Sequence, residues 1–176
     1  MRILVAFFFC LTIFSCTPQR AEIPKPSANT QTFIPVYLNV DVAQQVVYES
    51  PREIVHTGKI YTIGNYLLQV EVDSGIHVID YTDRNAPVKI GFIRSLFCTE
   101  MSIKGDYLYI NNLADLVVVD ISNFNTPKEV NRIKGAFPKQ NEFPPAQNVF
   151  FECPDPSKGV VIDWKIEIRD YPKCYR

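Results

Sequence analysis

The chain has 176 residues, of which 47% are apolar and 21% are charged, and this balance suits one globular domain with a hydrophobic core. Its 18 Lys and Arg residues nearly balance its 19 Asp and Glu residues, which excludes the basic surface of a nucleic-acid-binding protein. Thirteen prolines, seven glycines and many Tyr, Val and Ile residues predict short strands joined by rigid turns.

Residues 1–15 have the organisation of an export signal. Arg2 gives a positively charged start, and residues 3–14 form an apolar segment shorter than the roughly 20 residues of a membrane-spanning helix. The end of the segment, TIFSC, resembles a bacterial lipobox, which predicts lipidation of Cys16. An ordinary secretory signal with an unmodified Cys16 is the alternative, and both interpretations predict export.

Residues 16–33 are polar and contain prolines, so we expect a flexible tether between the lipid and a β-domain of residues 34–176. Glu22 is the only acidic residue of this tether, whereas some bacterial lipoproteins sent to the cell surface carry an acidic run there. We therefore expect a lipid anchor in the bacterial outer membrane with the domain facing the periplasm, and we leave surface exposure open.

The β-domain contains two copies of one repeat, at residues 58–94 and 101–134. Four strand patterns per roughly forty residues are typical of a propeller blade. Gly64 and Gly105 each begin a two-residue connection of the kind found in tight hairpins. The strands are expected at residues 59–63, 66–72, 76–80 and 88–94 in the first copy, and at residues 101–104, 107–112, 116–120 and 129–134 in the second.

Aspartates and prolines mark the exit turn of each copy. Asp80 and Asp120 each end a buried strand, where a carboxylate accepts hydrogen bonds from N–H groups of the following turn. Pro87 and Pro127 fix the exit from the same turns. A metal or acid/base role would need companion carboxylates, which the repeat does not supply, so we interpret these residues as structural.

The stretches GIHVID and LVVVD, the latter followed by a DISN-x-x-x-P turn, resemble the LVIVD repeat family. Together with the tail FECPDPSKGVVIDW…PKCYR, they look like the short lipoproteins of this family in Bacteroidota. The resemblance covers residues 51–176. It implies a β-propeller-like fold at a bacterial surface, and it brings no assigned activity and no catalytic residues.

Two blades are too few for a closed propeller, which needs about four to eight. Residues 41–47 predict one short helix, because Asp41 and Gln44 resemble a capping box. In the irregular tail, residues 135–176, the segments 148–153 and 159–164 predict a C-terminal hairpin. The expected fold is all-β: two four-stranded antiparallel blades plus this hairpin, as an incomplete, non-closed propeller. The open faces are sealed by the helix and the tail or by a partner, and we expect a sealed core with one residual interaction surface.

Three cysteines follow Cys16 in a chain bound for an oxidising compartment. We predict a disulfide between Cys153 and Cys174, since both lie in the irregular tail, and we expect Cys98 to be a small buried side chain. Three cysteines without a nearby histidine cluster predict no zinc site, and no metal or cofactor is expected.

The two histidines, His56 and His77, are expected to serve packing, because no nucleophile or metal-binding pattern accompanies them. No G-x-S-x-G elbow, phosphate loop or H-E-x-x-H motif occurs, so we do not predict an enzyme. A hydrolase is kept as a third possibility because propellers sometimes host one.

Aromatic residues of the blades offer one ligand hypothesis. A platform for sugar rings could include Tyr61, Tyr66, Tyr107, Tyr109 and Trp164, although packing is the commoner role of such residues. The function that we predict is a non-enzymatic, membrane-anchored structural or protein-interaction module, with a protein of the cell envelope as partner. The alternative is a small glycan- or ligand-binding lipoprotein that uses the blade aromatics.

Overall fold

The computed structural model describes residues 23–176, which form a nearly all-β fold of three open sheets. The expected leader and Cys16 lie outside the described residues. Within residues 23–176, no helix has the length and apolar character that crossing a membrane requires.

The segment that precedes the repeats is more ordered than the sequence predicts. It forms strand β1 (Thr30–Leu38), helix α1 (Val40–Ala43) and strand β2 (Val47–Glu49). The expected tether through residue 33 is therefore too long, because Thr32 and Phe33 already pair with the tail of the chain.

The helix also begins earlier than predicted and is shorter than residues 41–47. Asn39, rather than Asp41, is its N-cap, because the Asn39 side-chain oxygen accepts hydrogen bonds from the N–H groups of Asp41 and Val42. The helix ends before Val47, which lies in β2.

The first repeat forms an antiparallel meander, which we call blade 1. Its strands are β3 (Thr57–Ile63), β4 (Tyr66–Glu71), β5 (Gly75–Asp80) and β6 (Val88–Arg94). These are the four strands predicted from the sequence, with small shifts at their ends. Strand β2 adds a fifth strand beside β6, which the sequence analysis missed because three residues carry too little pattern.

The second repeat forms blade 2 with the same strand order. Its strands are β7 (Met101–Lys104), β8 (Tyr107–Asn112), β9 (Asp115–Asp120) and β10 (Lys128–Ile133), and all four were predicted. Gly64 and Gly105 have φ angles of +55° and +57°, which glycine adopts without strain in the tight turn of each first hairpin.

The two blades stack face to face. Directly paired residues of neighbouring strands point to the same side of a sheet, so each blade has two distinct faces. We call the side of blade 1 that meets blade 2 its front face, which contains Leu68, Val70, Ile76, Val78 and Ile93. It meets the back face of blade 2, formed by Leu108, Ile110, Val117 and Val119. All nine side chains are buried in one hydrophobic core.

The third sheet, which we call the tail sheet, corrects the expected C-terminal hairpin. It contains β1 together with β11 (Phe150–Phe151), β12 (Val160–Arg169) and β13 (Cys174–Tyr175), in the order β12-β1-β11-β13. Strands β11 and β12 do not pair with each other, because β1 lies between them, antiparallel to β12 and parallel to β11.

A second hydrophobic core explains why β1 inserts there. Phe33 and Tyr37 of β1 pack against the buried side chains of Phe151, Val161 and Trp164. The connection between β11 and β12 is not a tight hairpin turn. It contains a short 3-10 helix, which Asp155 caps.

Cys153 and Cys174, the pair predicted from the sequence, form a disulfide with a Cα–Cα distance of 5.4 Å. It joins the chain just after β11 to β13 at the edge of the tail sheet. Cys98 is a free, buried thiol, and burial raises its pKa to about 12. A thiol in this environment stays protonated at neutral pH and is unreactive.

Replacing Cys153 and Cys174 together with serine is expected to lower the free energy of unfolding by about 3 kcal/mol, because the bond closes a loop of 21 residues. Urea titration followed by Trp164 fluorescence measures the change. The unsubstituted protein in reductant is the control and should show the same loss. A variant as stable as the oxidised protein would contradict a stabilising role.

Candidate functional site

The exit-turn aspartates form short-range hydrogen bonds. Oδ1 of Asp80 accepts a hydrogen bond from the N–H of Thr82 at 2.8 Å, and Oδ1 of Asp120 accepts one from the N–H of Ser122 at 2.9 Å. Hydrogen bonds from the hydroxyl and N–H of Thr82 lower the pKa of Asp80, and those from the N–H and hydroxyl of Ser122 lower the pKa of Asp120. Both carboxylates thus hold turns.

A buried pair of a glutamate and a histidine lies on the back face of blade 1, which also carries Leu67, Gln69, Ile79 and Phe92. Glu71 is 3% exposed and His77 is fully buried, and Nε2 of His77 lies 3.0 Å from Oε2 of Glu71. The ring of His77 packs edge-on against Phe92, with 4.9 Å between the ring centroids. The expectation that His77 serves packing described only part of its environment.

An exposed segment, residues 50–56, lies across this back face, and we call it the strap. The N–H groups of Val55 and His56 donate hydrogen bonds to the carboxylate of Glu71. The guanidinium of Arg52 lies 4.3 Å from the centroid of the Phe92 ring. The strap therefore covers the face of blade 1 on which a preceding blade would stack in a longer propeller.

Burial by itself would raise the pKa of Glu71. Hydrogen bonds from the N–H groups of His56 and Val55 and from His77 outweigh it, so the pKa of Glu71 lies below its ordinary value. With three donors, the carboxylate is committed to holding the strap and the histidine.

A second polar cluster, on the back face of blade 2, was missed by the sequence analysis. Arg132 donates hydrogen bonds to Asp115 at 3.0 Å and to Glu129 at 2.8 Å. It also donates to the carbonyl oxygen of Gln44 at 2.7 Å, just after α1, and Asn112 donates to the carbonyl oxygen of Ala43. One sequence feature could have indicated this cluster: Arg132 stands at the repeat position that Phe92 occupies in blade 1.

The five aromatic residues of the ligand hypothesis are not brought together. Tyr66 stacks on Phe124 of blade 2, with 4.0 Å between ring centroids. Trp164 is buried in the second core, and Tyr61 lies on the edge strand β3. Tyr107 and Tyr109 alone of the five share the front face of blade 2, so the predicted five-residue platform does not exist.

The front face of blade 2 is of mixed character and only partly exposed. Its apolar side chains are Tyr107, Tyr109, Leu116, Val118 and Ile133, and its polar side chains are Ser102, Lys104, Asn111, Asp120, Lys128 and Asn131. Tyr109, Leu116 and Val118 are half-buried. Tyr107 is 45% exposed and Ile133 is 52% exposed, and none of the five apolar side chains belongs to either hydrophobic core. The equivalent residues of blade 1, such as Val78 and Ile93, are fully buried.

The two repeat tyrosines show the same contrast. Tyr66 of blade 1 has Phe124 of the next blade as its stacking partner. Tyr107 occupies the equivalent position in blade 2, and the described residues give it no stacking partner. The front face of blade 2 is therefore the surface that a further blade would cover.

Metal binding has no structural support in residues 23–176, where no three or more His, Cys, Asp or Glu side chains are grouped to hold an ion. A cleft of about 460 Å³ beside the disulfide carries both signs of charge, including Lys158, Arg169, Glu152 and Asp170. It is open to solvent and holds no buried unpaired group.

Replacing Glu71 with glutamine is expected to lower the free energy of unfolding at pH 7 by about 1–3 kcal/mol, because the N–H groups of Val55 and His56 and the ring of His77 lose the buried carboxylate. The pKa of Glu71 is lowered in the fold, so its stabilisation is present above about pH 4.5 and is lost as the pH falls through the folded pKa. The difference between variant and parent should therefore shrink in acid.

Urea titrations at several pH values between about 3 and 7 check this expectation. Glu142→Gln is the matched control, because that side chain is 52% exposed and its change should stay within about 0.5 kcal/mol. A difference that stays constant down to the lowest pH would show that the carboxylate charge is not what holds the strap.

Comparison with known proteins bears on one part of the chain. No curated protein and no solved structure gives a significant match. Residues 98–134, which include all four strands of blade 2, match the LVIVD repeat. Blade 1 has the same strand order and the same turn hydrogen bonds. Blade 2 is thus similar to an LVIVD repeat, and the match supports the LVIVD repeat family for this chain.

Proposed function

We propose that the protein is a non-enzymatic structural or protein-interaction module of the bacterial envelope. In this proposal a lipid on Cys16 anchors the chain in the outer membrane, and the segment before Thr30 holds the domain on the periplasmic side. The export-signal pattern and the lipobox-like TIFSC support the anchor. The resemblance to short Bacteroidota lipoproteins supports the same location.

The front face of blade 2, which exposes Tyr107 and Ile133 beside polar side chains, is the observation that carries the interaction role. Exposed apolar side chains rimmed by polar ones typically mark a site of association. Complete burial of an Ile or Val side chain contributes about 1.5–3 kcal/mol, and this face exposes Ile133 and Tyr107 and leaves Val118 outside both cores. A partner that covers the face would recover part of that free energy.

The charged side chains of the blades support a non-enzymatic role, because four of them already have structural partners. Glu71 holds the strap, Arg132 holds the end of α1, and Asp80 and Asp120 hold their turns. A catalytic acid, base or nucleophile needs access to a substrate, and the Glu71–His77 pair is buried.

Glycan binding is the second candidate, and one observation favours it. Tyr107 and Tyr109 lie two residues apart on one strand and share one face, where two rings could contact a sugar. Calorimetric titration with envelope oligosaccharides discriminates between the candidates, since heat that disappears in Tyr107→Ala would favour a glycan over a protein.

Replacing Cys16 with serine is expected to move the protein from the membrane fraction to the soluble fraction, because the residue that carries the lipid is lost. Labelling cells with a clickable palmitate analogue should mark the parent protein and not this variant. Cys98→Ala is the matched control and should stay labelled. A Cys16→Ser protein that still sediments with membranes would refute the anchor.

A photo-crosslinking amino acid at position 107 is expected to give a protein adduct in intact envelopes, because this side chain lies on the front face of blade 2. The control is the same amino acid at position 171, since Tyr171 is 65% exposed and lies in the tail. Denaturing gels detect the adduct. Equal adducts at both positions, or none at position 107, would contradict the interaction role.

A further inference from the structure

We propose that the free edge of strand β12 pairs with the same edge of a second copy of this chain, so that two tail sheets become one continuous sheet in a symmetric homodimer. The paired segment is residues 163–169, with Ile166 on the two-fold axis. This edge is separate from the front face of blade 2, so the inference goes beyond the proposed function and does not depend on it.

Strand β12 lies at one end of the tail sheet, and in the described part of the chain no strand pairs with its outer side. Its register with β1 is continuous from Asp163 to Arg169. At Ile162 the outer side is covered, because the side-chain amide of Asn141 donates a hydrogen bond to the Ile162 carbonyl oxygen at 2.9 Å. The edge from Asp163 to Arg169 is therefore regular and free, which makes it a template for another strand.

The neighbouring strand β1 shows which backbone groups of this edge point outward. The carbonyl oxygen of Phe33 accepts a hydrogen bond from the N–H of Glu152, on the side of β11. Phe33 thus points its backbone groups away from β12, and its directly opposed partner Ile166 points its own away from β1. By the same alternation, the N–H and C=O groups of Trp164 and Ile168 point to the free edge.

Antiparallel pairing centred on Ile166 would satisfy these outward groups. Ile166 would exchange N–H···O bonds with Ile166 of the second copy, and Trp164 would exchange them with Ile168 of the second copy at both ends of the contact. In the single copy, the N–H of Trp164 donates instead to Oδ1 of Asp163 at 2.7 Å. Dimerisation would transfer that donor to a backbone carbonyl and leave the Asp163 carboxylate for a cation across the interface.

The charged side chains of β12 select this register. One face of the strand carries Asp163, Lys165, Glu167 and Arg169. With Ile166 at the centre, Lys165 faces Glu167 of the second copy. Asp163 likewise faces Arg169 of the second copy, so every opposed pair has opposite signs. A contact centred on Lys165 or on Glu167 would oppose that residue to itself, and like charges directly opposite each other are destabilising.

These charges are already positioned along the edge. Within one copy, Glu167 lies 2.6 Å from Lys165 and 2.7 Å from Arg169. The pairs formed across the axis fall at positions without backbone hydrogen bonds, where opposed side chains of an antiparallel pair lie closest. The dimer thus gives each of the three side chains a further neighbour of opposite charge.

The other face of the edge supplies the apolar part of the contact. Ile166 is 54% exposed and Ile168 is 61% exposed, although both share this face with the buried Trp164. In the proposed register, Ile166 meets its own copy and Ile168 meets Trp164 of the second copy, and such cross-strand apolar pairs stabilise a sheet. Strand addition takes its affinity mainly from backbone hydrogen bonds, so we expect a reversible dimer.

The segments on either side of the edge leave room for the second copy. Beyond Arg169 the chain turns at Tyr171, which has a φ angle of +50° and donates its N–H to the carbonyl oxygen of Ser27 at 3.0 Å. Ser27 precedes β1, so the chain leaves β12 on the side opposite to the free edge. The second copy therefore does not meet Asn141, and the contact ends in a closed pair.

Sedimentation velocity over about 5 to 500 µM tests the proposal, on a parent chain with Cys16→Ser, which lacks the proposed lipid site. The parent should shift from monomer to dimer across this range. Glu167→Lys should weaken dimerisation at least about tenfold, because two pairs of like charges form across the axis. Adding Lys165→Glu to that variant should restore the constant to within about threefold of the parent, since opposed charges again differ in sign.

Glu53→Lys is the matched control for the charge reversal. This side chain is exposed on the strap, away from the tail sheet, so the substitution should leave the dissociation constant within about twofold of the parent.

Disulfide formation tests the register separately. The Cα atoms of the two Ile166 residues would lie about 5.5 Å apart, which a disulfide can bridge. The two Ile168 residues would lie roughly 13 Å apart along the strands. Under mild oxidation Ile166→Cys should give a dimer on a non-reducing gel, and Ile168→Cys, the matched control on the same face, should not. The native thiol of Cys98 is buried and does not compete.

Several results would overturn the homodimer. A parent that stays monomeric at the highest concentration excludes it, as does equal weakening by Glu167→Lys and Glu53→Lys. A double variant that remains monomeric would show that the opposed charges do not set the contact. Disulfide formation by Ile168→Cys to the same extent as by Ile166→Cys would refute the register, and species beyond the dimer would show that a different surface associates. The adduct at position 107 tests the proposed function independently of all these results.

Discussion

Strand β1 lies between β12 and β11, so the segment that enters the fold is held on both sides by the segment that leaves it. From this fixed point the chain contacts all three sheets in turn. Helix α1 reaches the back face of blade 2, β2 extends blade 1, and the strap crosses the back face of blade 1. In a closed propeller, neighbouring blades cover the outer faces of each blade. In this two-blade stack, the N-terminal segment covers part of the back faces instead.

Both blades bind the N-terminal segment by hydrogen bonds on their back faces, but blade 1 accepts these bonds and blade 2 donates them. In blade 1, the carboxylate of Glu71 accepts hydrogen bonds from N–H groups of the strap. In blade 2, Arg132 and Asn112 donate hydrogen bonds to carbonyl oxygens at the end of α1. An anion meets backbone donors and a cation meets backbone acceptors, so each buried charge is satisfied by the piece of backbone that it holds. The repeat thus diverges at its back face, where two different segments must be bound.

The features predicted correctly from the sequence are local ones. All eight blade strands, the turns at Gly64 and Gly105 and the bonds of Asp80 and Asp120 depend on residues close together in the chain. The insertion of β1 was not predictable, because it joins residues more than a hundred positions apart and its parallel contact with β11 spans only two residue pairs. The roles of Glu71 and Arg132 were missed for a different reason, because each also binds backbone groups of the N-terminal segment, which no side-chain pattern reveals.

The place of β1 in the tail sheet has a consequence for the order in which the molecule can form. A chain that emerges N-terminus first delivers Phe33 and Tyr37 long before Phe151 and Trp164, the side chains that bury them. Both blades can pair their own strands as they appear, because each is a meander of neighbours. The first strand must instead wait for the last third of the chain, and the disulfide through Cys174 can form only when nearly every residue is present. The repeats therefore fold early, whereas the sheet that secures them is completed last.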